Sequence, residues 1–166
     1  MVDAFYKRGF RRVGEVDLPK FSTSTIWYTV DDVGTTIAST FVIGERGIAT
    51  IYNWFADSAV VVTVFPVKET PITTLNYHYI PVTTSLDDAF TLHREHVSEF
   101  KLRFGNPQKL DSMAEIIRLD AIFNGKFASL RQRPRLIRLV IRACVITVLF
   151  VLVMRLVALA YFVQPF

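Results

Sequence analysis

The three histidines of this chain are His78, His93 and His96, and two of them lie within the tetrapeptide His-Arg-Glu-His at 93–96. Residues three apart on a helix are neighbours on its surface. His93 and His96 would thus sit one turn apart, where both imidazoles could reach one divalent ion with Glu99 or His78 as further ligands. The pattern is neither HExxH nor HxxEH, and no cysteine or second acid–histidine pair completes a set. His93 also falls on the apolar stripe of its helix, the usual place of a hydrogen-bonded core histidine. The sequence therefore calls for no metal and no other cofactor, and His93 and His96 remain only the residues on which a metal-dependent enzyme would be centred.

Other chemistries find less support. There is no GxSxG nucleophile motif, and the single cysteine, Cys144, lies in an apolar run. P-loop and GxGxxG fingerprints are missing, and the glycine pair of GERG (44–47) reads as a hairpin turn. The acid pairs Asp31/Asp32 and Asp87/Asp88 fall in a turn and at a helix start, where structural roles suffice. Trp27, Trp54 and the run Tyr77-His78-Tyr79 read as core filling, although a pigment, quinone or lipid pocket would use the same residue types.

Strands followed by helices must position these residues. TIWYTV (25–30), TTIASTFVI (35–43), GIATIYNWF (47–55), SAVVVTVFPV (58–67) and LNYHYIPV (75–82) are rich in β-branched and aromatic residues. The short breaks DDVG, GERG and ADS predict antiparallel neighbours, hence a meander of about five strands. In GIATIYNWF both Tyr52/Trp54 and Ile51/Phe55 carry bulk, which predicts cover on both faces or one face offered to a partner. Over 86–104, Leu86, Phe90, His93, Val97, Phe100 and Phe104 recur at helical spacing, with Ser85 as N-cap and Asp87 and Asp88 at the positive end of the dipole. A second helix is expected over 109–124, with Leu110, Met113, Ile117 and Ala121 facing inward. The two helices are expected to cover one face of the antiparallel sheet, giving an α+β domain over residues 1–124. Before the strands, Val2 to Gly9 predicts a helical turn whose basic cluster, Lys7, Arg8, Arg11 and Arg12, reads as a solvated face, with anionic lipid as a secondary contact.

Charge is partitioned along the chain. Residues 127–166 hold six of the 19 basic residues and no acid, leaving 13 basic residues against 15 acids in residues 1–126. A nucleic-acid binder shows its positive patch on the folded domain; this domain is slightly acidic, so no nucleic-acid partner is expected. Residues 125–142 read as a basic juxtamembrane linker. Ala143–Val163 is a nearly unbroken apolar run, and at about 1.5 Å per residue a helix of that length crosses a hydrocarbon core of roughly 30 Å once. Arg131, Arg133, Arg135, Arg138 and Arg142 precede the run and nothing basic follows Arg155. The positive-inside rule then places the N-terminal domain in the cytoplasm and residues 164–166 on the far side of the cell (inner) membrane, and the five arginines suit anionic headgroups. MVDAFYKRGFRR has no apolar core after its basic residues, so no secretory signal is read and a tail-anchored, single-pass protein is expected.

Arg155 interrupts the run. Cys144, Thr147, Val151, Arg155, Ala158 and Phe162 share one helical stripe, gathering small and polar residues, while Leu149, Leu152, Val153, Leu156, Leu159 and Val163 suit lipid. Intramembrane charges usually face a protein interior, so the stripe is expected to dock on a larger transmembrane subunit. The reading is a non-catalytic accessory or assembly subunit of a multi-subunit membrane complex, with a respiratory or photosynthetic complex as a fitting host. The alternative is a membrane-tethered ligand-binding or regulatory module with an apolar groove.

Overall fold

β-Branched and aromatic runs pack well on a half-buried pleated surface, and the five stretches rich in them all form strands. The computed structural model describes residues 1–17, 25–43, 46–110 and 112–123. In chain order these form α1 (Val2–Tyr6), β1 (Arg11–Asp17), β2 (Thr25–Val30), β3 (Thr36–Ile43), β4 (Arg46–Trp54), β5 (Val60–Phe65), β6 (Ile72–Thr73), β7 (Tyr77–Pro81) and α2 (Leu86–Phe104), and residues 113–123 are again helical. The chain divides into two compact units, Met1–Asp120 and Ala121–Phe166. Only residues 121–123 of the second are described, so the linker, the apolar run, Arg131 to Arg142 and the Arg155 stripe all lie outside the described residues. Among those residues, no helix is long and apolar enough to cross a membrane.

The fold is α+β, but the sheet is larger than a five-strand meander and is not wholly antiparallel. Seven strands run in the order β1-β2-β3-β4-β5-β7-β6, and β5 pairs with β7 in parallel, Val61 opposite His78 and Thr63 opposite Ile80. The antiparallel expectation rested on the three short breaks, and it holds across the pairs β2–β3, β3–β4 and β4–β5. It fails where the connection lengthens: residues 66–76 separate β5 from β7, long enough to carry the chain over and to contribute β6 on the outer side of β7. The strand β1 has almost no β-sheet signature, RRVGEVD, and forms through its pairing with β2.

Both edges are blunted. β1 carries a bulge between Arg12 and Gly14 and the charges Arg11, Arg12, Glu15 and Asp17; β6 is only two residues long. Charges, bulges and short strands each discourage pairing with another chain. In the β2–β3 turn, Asp31 accepts from the backbone N–H groups of Thr35 (2.7 Å) and Thr36 (3.0 Å), and Gly34 supplies the required positive φ of 85°.

The sheet is covered on both faces, not on one. Along β4 both alternating sets are buried: Ile51, Asn53 and Phe55 on one side, Tyr52 and Trp54 on the other. α2 lies on the Asn53 side, where Phe55, Ala59, Val61, Ile80 and Val82 pack with Ala89 and Phe100; Phe5, Phe10, Ala38, Ala49 and Ile51 form a second cluster bordered by Leu86 and Phe90. Residues 113–120 lie on the opposite side. Tyr28, whose cross-strand partner is Ser39, donates to Asp120 at 3.2 Å. A Cβ on Gly14 would come within 3.0 Å of the Met113 sulfur, so the glycine permits the approach.

The inward side of that segment matches the expected one at Leu110 and Met113 and departs from it at Ile117 and Ala121. Ile116 and Leu119 are buried while Ile117 is 46% exposed. The helix start is set by Ser112, whose hydroxyl accepts from the Glu115 N–H and donates to the Glu115 carboxylate, a capping pair. α2, by contrast, begins where its spacing predicts, with the Ser85 hydroxyl accepting from the Asp88 N–H at 3.0 Å.

Candidate functional site

β7 alternates strictly: Tyr77 and Tyr79 point away from α2, and His78 and Ile80 point toward it. All four are buried. α2 crosses above β5 and β7 and brings its two histidines down on different neighbours. Although they lie one turn apart, His93 and His96 do not share a point in space.

His93 is fully engaged in the core. Its Nε2 lies 2.7 Å from Asn53 Oδ1 and its Nδ1 2.9 Å from Thr63 Oγ1. Asn53 uses its amide nitrogen on the Thr35 carbonyl (2.9 Å) and the Thr36 hydroxyl (3.3 Å), so its oxygen faces the ring and accepts. His93 is therefore the Nε2–H tautomer, and the Thr63 hydroxyl donates to Nδ1. Complete burial, aided by the nearby His96, lowers its pKa to about 3, so the ring stays neutral. Both ring nitrogens of His93 are committed to hydrogen bonds that tie α2 to β4 and β5.

His96 instead meets His78. Their Nδ1 atoms are 3.0 Å apart, the rings meet edge to face with centroids 5.0 Å apart, and the Phe100 ring closes over His78 at 4.6 Å. Glu99, one turn on from His96, places Oε2 3.7 Å from His96 Nδ1 while its Oε1 accepts from Arg103 at 2.7 Å. One ligand atom from each of His78, His96 and Glu99 lies within 4.8 Å of the others. His78 is buried and the other two are part-exposed, so the cluster opens to solvent on the α2 side. Burial, and then the neighbouring His96, lowers the His78 pKa.

The opposite face holds a second titratable group that sequence spacing did not single out. Burial raises the pKa of Asp120, against the lowering effect of the Tyr28 hydrogen bond. The same desolvation, with the Asp120 charge, raises Tyr28 and Tyr52. The signal for this cluster is tertiary, since 92 residues separate Tyr28 from Asp120.

The N-terminal basic cluster is partly neutralised within the fold. Arg8 pairs with Asp87 at the start of α2, donates to the Ala4 carbonyl at 2.6 Å and lies 5.2 Å from the centre of the Phe90 ring. Arg12 pairs with Glu15 at 2.5 Å. Such exposed pairs contribute about 0–1 kcal/mol each; Arg8–Asp87 ties the end of α1 to α2, while Arg12–Glu15 lies within β1.

No protein-family model, curated protein or solved structure matches the chain.

Proposed function

We propose that this chain is a non-catalytic accessory subunit of a multi-subunit membrane complex, anchored by one helix over residues 143–163 with its α+β domain on the cytoplasmic side. The observation that carries the reading is the partition of the sequence. Twenty-one residues from Ala143 to Val163 hold a single charge, Arg155, and five arginines stand on one flank with none on the other. Length supports one crossing, and the one-sided arginines support the orientation.

Arg155 supports docking. An arginine near the centre of a lone span costs about 2.5–3.5 kcal/mol on insertion scales, and a partner that receives its guanidinium offsets that cost. The stripe Cys144, Thr147, Val151, Ala158 and Phe162 around it keeps side chains small enough for close approach over most of its length. In the folded domain, the layer between α2 and the sheet is filled by Phe55, Val61, Ile80 and Phe100 and by the His93 network. That filling favours the accessory reading over a module that holds an apolar ligand between sheet and helix.

Sealed membrane vesicles of known orientation test the anchor. After an alkaline carbonate wash the full chain stays in the membrane pellet, and protease digests the N-terminal domain only when the cytoplasmic face is exposed. Release by carbonate, or digestion from the far side, would overturn the proposal.

A further inference from the structure

We propose that His78, His96 and Glu99 form a divalent-metal site, with Zn²⁺ as the fitting ion and water in the fourth position. It goes beyond the accessory role and does not depend on it. The donor set is two imidazoles and one carboxylate, which suits a borderline ion in a tetrahedral site with one open place.

Geometry supplies the argument. Two imidazole nitrogens on one tetrahedral Zn²⁺, each about 2.0–2.1 Å from the ion, lie roughly 3.4 Å apart. The facing Nδ1 atoms of His78 and His96 are 3.0 Å apart, so a ring movement of a few tenths of an ångström admits the ion. Glu99 Oε2 approaches the same point at 3.7 Å from His96 Nδ1. That distance is too long for a hydrogen bond and close to the spacing of two ligands on one metal. Helical spacing from His96 and the pairing with Arg103 bring the carboxylate to this point, so three donors converge where the His78–His96 contact alone would supply two.

The supporting shell is also in place. Arg103 holds Oε1 of Glu99 at 2.7 Å, which fixes the carboxylate and leaves Oε2 for the ion. Phe100 packs against His78 on one side and against Phe55 (5.5 Å) and Phe104 (5.3 Å) on others, so His78 is held by the core. The ion would add a tie between β7 and α2 to the His93 network, which joins α2 to β4 and β5. Partial exposure of His96 and Glu99 gives the ion an entry path.

Titration of the untagged full chain in mild detergent, stripped with a chelator and then freed of it, decides the matter with Zn²⁺ alone as probe. The chain has only three histidines and one cysteine, so the background is low. We expect one Zn²⁺ bound per chain, a thermal midpoint that rises with added Zn²⁺ because the ion binds the folded state, and tetrahedral visible bands when Co²⁺ is substituted. His96→Ala and Glu99→Gln, both at part-exposed positions, weaken binding by at least about tenfold and abolish the thermal shift, while Glu95→Gln, on the exposed side of α2, changes neither. Glu99→Gln keeps the test sharp if His96→Ala disturbs folding. Absence of stoichiometric binding to the folded wild-type chain, or unchanged affinity in both ligand variants, would overturn the site.

Discussion

Replacing His93 with leucine lowers the stability of the folded chain by on the order of 3 kcal/mol, because each buried partner left without its hydrogen bond costs about 1–3 kcal/mol. Leucine fills much of the ring's volume but leaves Asn53 Oδ1 and Thr63 Oγ1 facing an apolar side chain. His93→Leu combined with Thr63→Val removes one orphan and recovers part of the loss, an interaction that a double-mutant cycle reads directly. The same residue sets a pH dependence. Its folded pKa, about 3, lies below the ordinary imidazole value of 6.5, so the unfolded state binds the extra proton between those values. Its contribution to stability is then complete above pH 6.5 and declines as pH falls toward 3, by about 1.4 kcal/mol per unit. Between pH 6.5 and 5 the wild-type chain loses about 1.6 kcal/mol more than His93→Leu. Urea unfolding of the two proteins in mild detergent at both pH values measures the difference. Parallel pH profiles would show that His93 is not held neutral.

Phe100→Ala is expected to cost about 3–5 kcal/mol. Phe100 is 0% exposed and its ring contacts Phe55, Phe104 and His78, so truncation leaves a cavity between α2 and the sheet that neighbouring rigid rings cannot close. Leu102, two residues on along the same helix, is 90% exposed; Leu102→Ala stays within about 0.5 kcal/mol of wild type. The pair isolates burial from helix propensity, which leucine and alanine share closely. A shift in the urea midpoint without a change in slope identifies lost packing. Equal effects of the two substitutions would mean that α2 does not dock on the Phe55–Val61–Ile80 face.

Legibility followed the range of the signal. α2 could be read end to end because its signals are local: the Ser85 cap, Asp87 and Asp88 in the first turn, and an apolar residue at each turn through Phe104. β2 to β5 could be read because long β-branched runs were separated by short turns. β1 could not, since Arg11, Arg12, Gly14 and Glu15 carry little strand preference and the strand exists through its partners on β2. The parallel β5–β7 pair was hidden by the long connection, in which β6 is two residues long. The face of the second helix was ambiguous in the sequence, since Ile116 and Ile117 both continue an apolar spacing from Met113, at steps of three and four.

The histidines follow the same rule. Spacing placed His93 and His96 on one surface of α2, yet the sheet beneath separates them. The sequence hints were polar residues in apolar strands, Asn53 within TIYNWF and Thr63 within VVVTVF, because a buried polar side chain requires a partner. His78 likewise stands between two tyrosines, and its alternation across β7 determines that it faces α2.

The proposed membrane subunit assembles through Arg155. Mild-detergent extraction of native membranes, followed by native gel separation and mass spectrometry of the band that contains this chain, tests it most directly. The expected result is stoichiometric migration with larger transmembrane subunits, lost when Arg155 is replaced by leucine. Migration of the wild-type chain alone, at the mass of a monomer or homodimer, would contradict it.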